Sequence, residues 1–389
     1  MVAFYIFWVS LLIVLYTYIG YGIIIFLLSK VKKHPVAVAS EDYDWPATTL
    51  VIAAYNEEGF IEEKIKNTLA LDYPAGKLSI LIVTDGSTDL TASIVAKHNE
   101  IKHYHSDERM GKIHAVNRIM KFVETPTVIF CDANTYLNTE SIKNIIRHYQ
   151  DPSVGGVAGE KRIFKKEEDN ASGAGEGMYW KYESFLKRKD SEVYSVVGAA
   201  GELFSVRTNL FEQPGENIII EDFYISLRIT MKGYRFVYEP DAYATETASA
   251  SVGEEWKRKV RISAGGFQAM VKLRGLLNPI KYGLLSFQYV SHRVLRWTLA
   301  PLALSLILVS NIILVLNGSI FYSFILLMQI LFYGIAFIGH LNQDKKIAIK
   351  GFFVPYYFTV MNVSVYAGFI RYLKGSQSAI WEKAKRAES

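Results

Sequence analysis

From Phe4 to Ser29 the chain has no charged side chain, and from Trp297 to Gly339 it has none again. At about 1.5 Å per residue, a helix over the first stretch spans a hydrocarbon core of roughly 30 Å, and the second stretch is long enough for two crossings. Asn317-Gly318, near the middle of that second stretch, supplies turn chemistry for a helical hairpin. Phe352 to Ile370 is a fourth candidate span, interrupted by Pro355. Half of the 389 residues are hydrophobic, which a purely soluble enzyme does not need.

Lys30, Lys32 and Lys33 directly follow the first stretch, whereas no Lys or Arg precedes it and no small-residue cleavage site comes after it. This pattern predicts a retained anchor, not a signal peptide, with the following segment cytoplasmic. Four crossings from an external amino terminus would leave the tail outside, yet Arg371, Lys374, Lys383, Lys385 and Arg386 favour the cytoplasm. Either the Pro355 segment does not cross or another span is miscounted.

Charge is segregated along the chain. Glu41 to Glu255 holds 35 acids against 23 bases, a net −12, and Lys257 to Ser389 holds 17 bases against 3 acids, a net +14. The basic part is interleaved with apolar runs, so its expected partner is the anionic inner face of a membrane, not nucleic acid. A single cysteine, Cys131, excludes an intrachain disulfide and a Cys-cluster metal site, and the eight histidines show no zinc spacing.

The middle of the chain alternates strand and helix signals. Thr49–Ala53, Leu78–Val83, Ile101–His105 and Val128–Cys131 read as short buried strands. Helical patterns follow them at 60–69, 90–98, 113–123 and 139–149. Repeated alternation predicts an α/β domain with a mainly parallel sheet and a ligand crevice beyond the carboxyl ends of the strands. Those ends carry Asn56-Glu57, Asp85 and Asp132-Ala-Asn134. Three polar ends converging suit a nucleotide or a metal, although each is also the pattern of a helix cap. No Gly-x-Gly-x-x-Gly or Walker sequence is present, so any phosphates fall to carboxylates and a metal ion.

Val51-Ile-Ala-Ala-Tyr-Asn-Glu-Glu58, Val83-Thr-Asp-Gly-Ser-Thr-Asp89, Asp132-Ala-Asn134, Ile220-Glu-Asp222 and Arg258-Lys-Val-Arg261 occur in an order that resembles membrane-embedded family 2 glycosyltransferases, among them cellulose, hyaluronan and poly-N-acetylglucosamine synthases. The resemblance covers roughly Thr49 to Met270 and implies a GT-A (Rossmann-like) domain between N-terminal and C-terminal transmembrane helices. It implies four parts: an anchor at 1–33, a cytoplasmic catalytic domain at 41–255, basic and interfacial helices at 256–296, and a membrane region with its tail at 297–389. The implied reaction is inverting transfer from a UDP-sugar, UDP-GlcNAc or UDP-Glc, to a growing polysaccharide at the inner membrane. The alternatives are transfer of one sugar to a membrane lipid and, more remotely, a non-catalytic scaffold or transporter subunit. A homo-oligomer or a secretion partner is compatible with each.

By the same resemblance, Asp222 is the general base and Glu221 lies on the acceptor side with Gly198 and Gly201. Ala53, Tyr55, Glu57, Asp85, Lys112, Asp132, Arg258 and Arg261 bind the donor, and Asp132 with Asn134 holds Mg²⁺ or Mn²⁺ through hard oxygen ligands. The residues allow other readings: Glu221-Asp222 as the start of a helix, Lys112 as a solvated lysine, Arg258 and Arg261 as a membrane-surface face. A like-charged carboxylate pair within an apolar segment raises one pKa, which a general base at neutral pH requires. Arg258 and Ile262 stand where the family pattern has Gln and Trp. Tyr179, Trp180 and Tyr182 suit sugar stacking or packing, and Leu276 to Trp297 reads as an interfacial helix.

Overall fold

The computed structural model describes residues 1–34, 43–164, 171–247, 252–341 and 350–380, with backbone alone at 171–176, 178, 252 and 350–353. The tail residues Lys383, Lys385 and Arg386 lie outside the described residues. The chain opens with α1, a helix over Val2–Val31 that contains a π-turn at Tyr16–Gly20.

After α1 the described chain continues with β1 (Thr48–Ala54), α2 (Ile61–Leu69), β2 (Leu78–Asp85), α3 (Thr91–Val95), β3 (Lys102–Ser106), α4 (Lys112–Ile119) and β4 (Thr127–Asp132). These four strands pair in parallel in the order β3-β2-β1-β4. Ala53 stands opposite both Val83 and Asp132, so β1, β2 and β4 end at one level. Parallel neighbours lie about 4.8 Å apart, so that shared ending brings three polar strand ends into one crevice.

β1, β2 and β4 are buried on both faces, which is why they read as apolar runs, whereas β3 at the sheet edge is half exposed. Leu50, Ile52, Ile82 and Ile129 pack with Ile61, Ile65 and Ile142 on one side. Val51, Leu81, Val83 and Phe130 pack with Val116, Ile119 and Ile225 on the other.

The sheet continues where the strand-helix pattern gave no warning. After β5 (Tyr136–Leu137) and α5 (Ser141–Ile146) come β6 (Val154–Phe164), α6 (Ala171–Val193), β7 (Leu203–Arg207), α7 (Glu221–Met231) and β8 (Arg235–Thr247). They extend the order as β4-β7-β6-β8-β5, with antiparallel pairing at β4/β7, β6/β7 and β5/β8 and parallel pairing at β6/β8. Gly155, Gly156 and Gly159 dilute the apolar signal of β6, and its partners are remote in sequence.

The helix expected from Phe223 starts earlier, so Glu221 and Asp222 occupy its first turn, and no side chain caps it. Then follow α8 (Val252–Lys272), α9 (Leu299–Leu316), α10 (Ile320–Leu341) and α11 (Lys350–Leu373). Gly318, at φ 85°, makes the expected turn between α9 and α10.

Among the described residues, three helices are long and apolar enough to cross a membrane: α1, α9 and α10. The fourth candidate span departs from expectation. α11 contains Pro355 and packs closely along α8, where Phe369 and Tyr372 meet Phe267 at ring distances of 4.9 and 6.3 Å. It buries the polar Asn362 and Ser364, and Asn362 Oδ1 accepts from Tyr18 of α1 at 2.7 Å. Leu276 to Trp297 is likewise not one interfacial helix. Gly283, at φ 50°, breaks it, and the second piece, a helical run over 284–297 with a π-turn at Val290–Val294, aims Arg293 and Arg296 at Glu183 of α6.

Candidate active site

Two adjoining cavities lie at the carboxyl ends of the strands. The smaller is lined by Ala53, Tyr55 and Glu57 at and beyond the end of β1, Asp85 at the end of β2, Arg109, Gly111 and Lys112 before and at the start of α4, and Asp132 and Asn134 at and beyond the end of β4. Seven of the expected donor and metal residues therefore share one pocket. Arg258 and Arg261 line instead the larger cavity, of about 920 Å³, together with Gly201, Glu221 and Asp222. Lys112 and Asp132 belong to both and mark the junction.

Asp85 is not a cap for the helix beside it. Its Oδ2 accepts from the backbone N–H of Met110 at 3.0 Å and of Gly111 at 2.6 Å, which fastens the loop before α4 against β2. Gly86 makes that approach possible: its φ is 63°, and a Cβ there would stand 2.5 Å from Arg109 N. The docked loop lays the Arg109 guanidinium 3.8 Å above the Tyr55 ring at the pocket mouth. Arg109 was not anticipated, because nothing local in the sequence links it to Tyr55.

At the junction, Lys112 Nζ donates to Asp132 Oδ1 at 2.6 Å and stands 3.2 Å from Glu221 Oε1. Burial alone would lower the Lys112 pKa, but Asp132 and then Glu221 outweigh it and raise it. Burial pushes the Asp132 carboxyl up; Lys112 opposes this, and Glu202 and Glu221 add to it. Asp222 is raised to about 7, first by burial and then by Glu221. Its carboxylate faces open space beside Gly201, where an added Cβ would lie 3.5 Å from Asp222 Oδ2 and 3.2 Å from Lys112 Nζ.

Gly198, expected on the acceptor side, lies behind this wall. Its φ is 89° and a Cβ would stand 2.2 Å from the Phe223 ring, so its role is to pack the loop onto α7. Ser226 Oγ accepts from Ala199 N–H at 2.9 Å and ties the same loop to that helix.

Arg261 donates to the Ile219 carbonyl at 3.1 Å; burial lowers its pKa, opposed first by Glu221. Arg258 has a structural tie that the sequence did not suggest: its Nη2 meets Glu202 Oε1 at 2.9 Å, and Lys161 Nζ shares that oxygen at 2.8 Å. Ile262 lines the large cavity, as does Trp297 from the far end of the chain, packed edge-on to Phe223 at 5.4 Å. Tyr179, Trp180 and Tyr182 line it too, with Lys259 Nζ 4.4 Å from the Tyr179 ring centre.

Among the described residues, no group of three or more His, Cys, Asp or Glu side chains could hold a metal by itself. Asp132 and Asn134 share the small pocket and offer two oxygen donors, which fits an ion that takes its remaining ligands from phosphate oxygens and water.

Residues 49–213 match the family described as glycosyl transferase family 2. A poly-beta-1,6-N-acetyl-D-glucosamine synthase of Staphylococcus aureus is 30% identical over 234 residues, 58% of this chain and 55% of that protein. One from Staphylococcus epidermidis is 25% identical over 268 residues, 66% of this chain and 64% of that protein. The chain thus spans little more than half the length of the Staphylococcus aureus relative. In fold it is similar to the mannosyltransferase PcManGT from Pyrobaculum calidifontis, solved with GDP-Man and Mn²⁺, at a TM-score of 0.70 and 21% identity, covering 95% of this chain and 99% of the other. Residues 49–213 thus resemble a family 2 glycosyltransferase domain, and the fold is of the GT-A type.

Proposed function

We propose that the protein is a membrane-bound inverting glycosyltransferase that moves a sugar from a UDP-sugar, UDP-GlcNAc or UDP-Glc, to the growing end of a cell-surface polysaccharide. The observation that carries this reading is the meeting of two cavities at Lys112 and Asp132, with Asp222 raised to about 7 on the far side. A leaving diphosphate at the junction would be neutralised by Lys112, with Arg261 reaching from α8. A bound Mg²⁺ or Mn²⁺, held by Asp132 and Asn134, would add positive charge to the same phosphates. Above pH 7 Asp222 is a carboxylate able to take the proton of an acceptor hydroxyl in the space beside Gly201. Attack from the Asp222 side, opposite the diphosphate, is a single displacement and inverts the anomeric carbon.

Lys30, Lys32 and Lys33 after α1 favour a cytoplasmic catalytic domain at the inner membrane. With three crossings, Arg371 and Lys374 fall on that same side, which removes the conflict that four crossings created. A second reading, transfer of one sugar to a membrane lipid, is favoured by the reach of the large cavity to Tyr18 on α1.

The test is product analysis of the purified protein in lipid nanodiscs with Mn²⁺ or Mg²⁺ and radiolabelled UDP-sugars. High-molecular-weight label supports a polysaccharide synthase. Label confined to an organic-extractable single-sugar lipid replaces it with the second reading, and no label with any donor overturns both.

A further inference from the structure

Lys187, on α6, is 4% exposed and lines the large cavity. Among the described residues it makes neither a hydrogen bond nor an ion pair; its ammonium faces the Trp180 ring, 5.8 Å away. Burial lowers its pKa, and Glu183, the strongest opposing charge, only partly offsets this. Glu183 is already committed: its two oxygens meet Arg293 Nη2 at 2.5 Å and Arg296 Nη1 at 3.2 Å. Arg296 also keeps Nε and Nη2 buried without a hydrogen-bond partner. Three cations therefore crowd one carboxylate at this end of the cavity. An ammonium held out of water without a partner is unfavourable, and a bound anion removes that cost.

The place of this charge matters. Lys187, Arg293 and Arg296 are absent from the lining of the donor pocket, so they act beyond Asp222, on the acceptor side. The same cavity is walled by Tyr18 of α1 and by Phe358, Met361 and Val365 of α11, a largely apolar surface that begins at a membrane-crossing helix. An acceptor built only of neutral sugars has no use for a buried unpaired ammonium there. We propose that Lys187, with Arg296, binds a phosphate group of the acceptor, and that this acceptor is a lipid-linked glycosyl phosphate whose hydrocarbon lies against Tyr18, Phe358 and Met361. The assignment rests on the glycosyl-transfer reading above, in its second form with a membrane-lipid acceptor, and names the chemical class of that acceptor.

The test uses the full-length protein in zwitterionic nanodiscs with the UDP-sugar that gives turnover. Three acceptors are compared: a prenyl-linked glycosyl phosphate, the neutral prenyl glycoside of the same chain length, and a water-soluble glycosyl phosphate. The phospholipid form should exceed the neutral one in kcat/KM by at least about ten-fold. Lys187→Met should collapse that ratio through KM, Lys187→Arg should restore most of it, and calorimetric UDP affinity should show that both variants are folded. Equal use of the phosphorylated and neutral lipids by the wild-type protein overturns the anion site while leaving glycosyl transfer intact. Equal use of the soluble glycosyl phosphate overturns the lipid part, and absence of turnover with every donor and acceptor overturns the assignment together with the reading beneath it.

Discussion

Lys112 Nζ lies 2.6 Å from Asp132 Oδ1, and this contact stands where the smaller pocket, proposed for the donor, meets the larger cavity, proposed for the acceptor. The same ammonium lowers the pKa of Asp222, opposing burial and Glu221. Lys112→Met should therefore move the acid limb of kcat/KM to higher pH, because the carboxylate loses a stabilising cation. UDP affinity should fall by about ten-fold or more in the same variant, measured by calorimetry. An unchanged acid limb would remove Lys112 from the account of the base.

With Asp222 near 7, kcat/KM should rise about ten-fold per pH unit below pH 7 and level off above it. Asp222→Asn should bind UDP normally and lose transfer by about a thousand-fold or more. The folded pKa of about 7 lies above the ordinary carboxylate value of 3.8, so Asp222 contributes stability that is complete only below the unfolded value and is lost as pH rises from there through 7. The asparagine variant should accordingly melt higher than wild type at pH 8 and not at about pH 3. Near-normal turnover by Asp222→Asn would exclude it as the base.

Asp132→Ala should abolish metal-dependent UDP binding, since Asn134 alone leaves one neutral oxygen donor. Titrating UDP with Mn²⁺ and with EDTA separates this from unfolding: the variant should bind weakly and equally in both, whereas wild type should bind tightly only with the ion.

Two nearby glycines should respond in different currencies. Gly201→Ala places a methyl 3.2 Å from Lys112 Nζ and 3.5 Å from Asp222 Oδ2, in the space assigned to the acceptor. It should reduce kcat/KM by about ten-fold or more with little change in Tm. Gly198→Ala meets the Phe223 ring at 2.2 Å from a backbone at φ 89°, and should cost about 2 kcal/mol or more of stability. If both variants lost stability alone, Gly201 would be no part of the acceptor site.

Glu183 is fully buried between Arg293, Arg296 and His292. Burial alone would raise its pKa, but Arg293 and then His292 prevail and hold it well below the usual carboxylate range. Glu183→Ala leaves Arg293 and Arg296 without their carboxylate and should destabilise the protein by about 3–5 kcal/mol. Denaturation in detergent, followed by fluorescence, would register this as a large drop in Tm; a shift below 1 °C would show that the arginines find other partners.

Much of the smaller pocket's lining was legible in short stretches of sequence, because parallel strands buried on both faces read as apolar runs and place the polar residues at their ends along one edge. Asp85, Asp132 and Asn134 needed only that rule. The turn at Asn317-Gly318 and the charge-free helices were equally plain, since a bilayer and a tight turn both select local composition. Arg109 over Tyr55, Arg258 on Glu202, and Trp297 beside Phe223 were not legible, because each joins elements from separate parts of the fold.

Composition and local pattern by themselves determined the helices apolar enough to cross a membrane, the strand-helix core and the polar residues clustered at its strand ends, because burial and turn formation act on neighbouring residues. Only the tertiary structure decided which acid titrates near 7, that α11 lies along α8 as a cavity wall, and that Gly198 packs while Gly201 opens. Those outcomes depend on desolvation and on charges brought together from about a hundred residues apart, such as Lys112 with Glu221 and Glu183 with Arg296. No sequence window contains that information, because electrostatic energy inside a fold is set by distance in space.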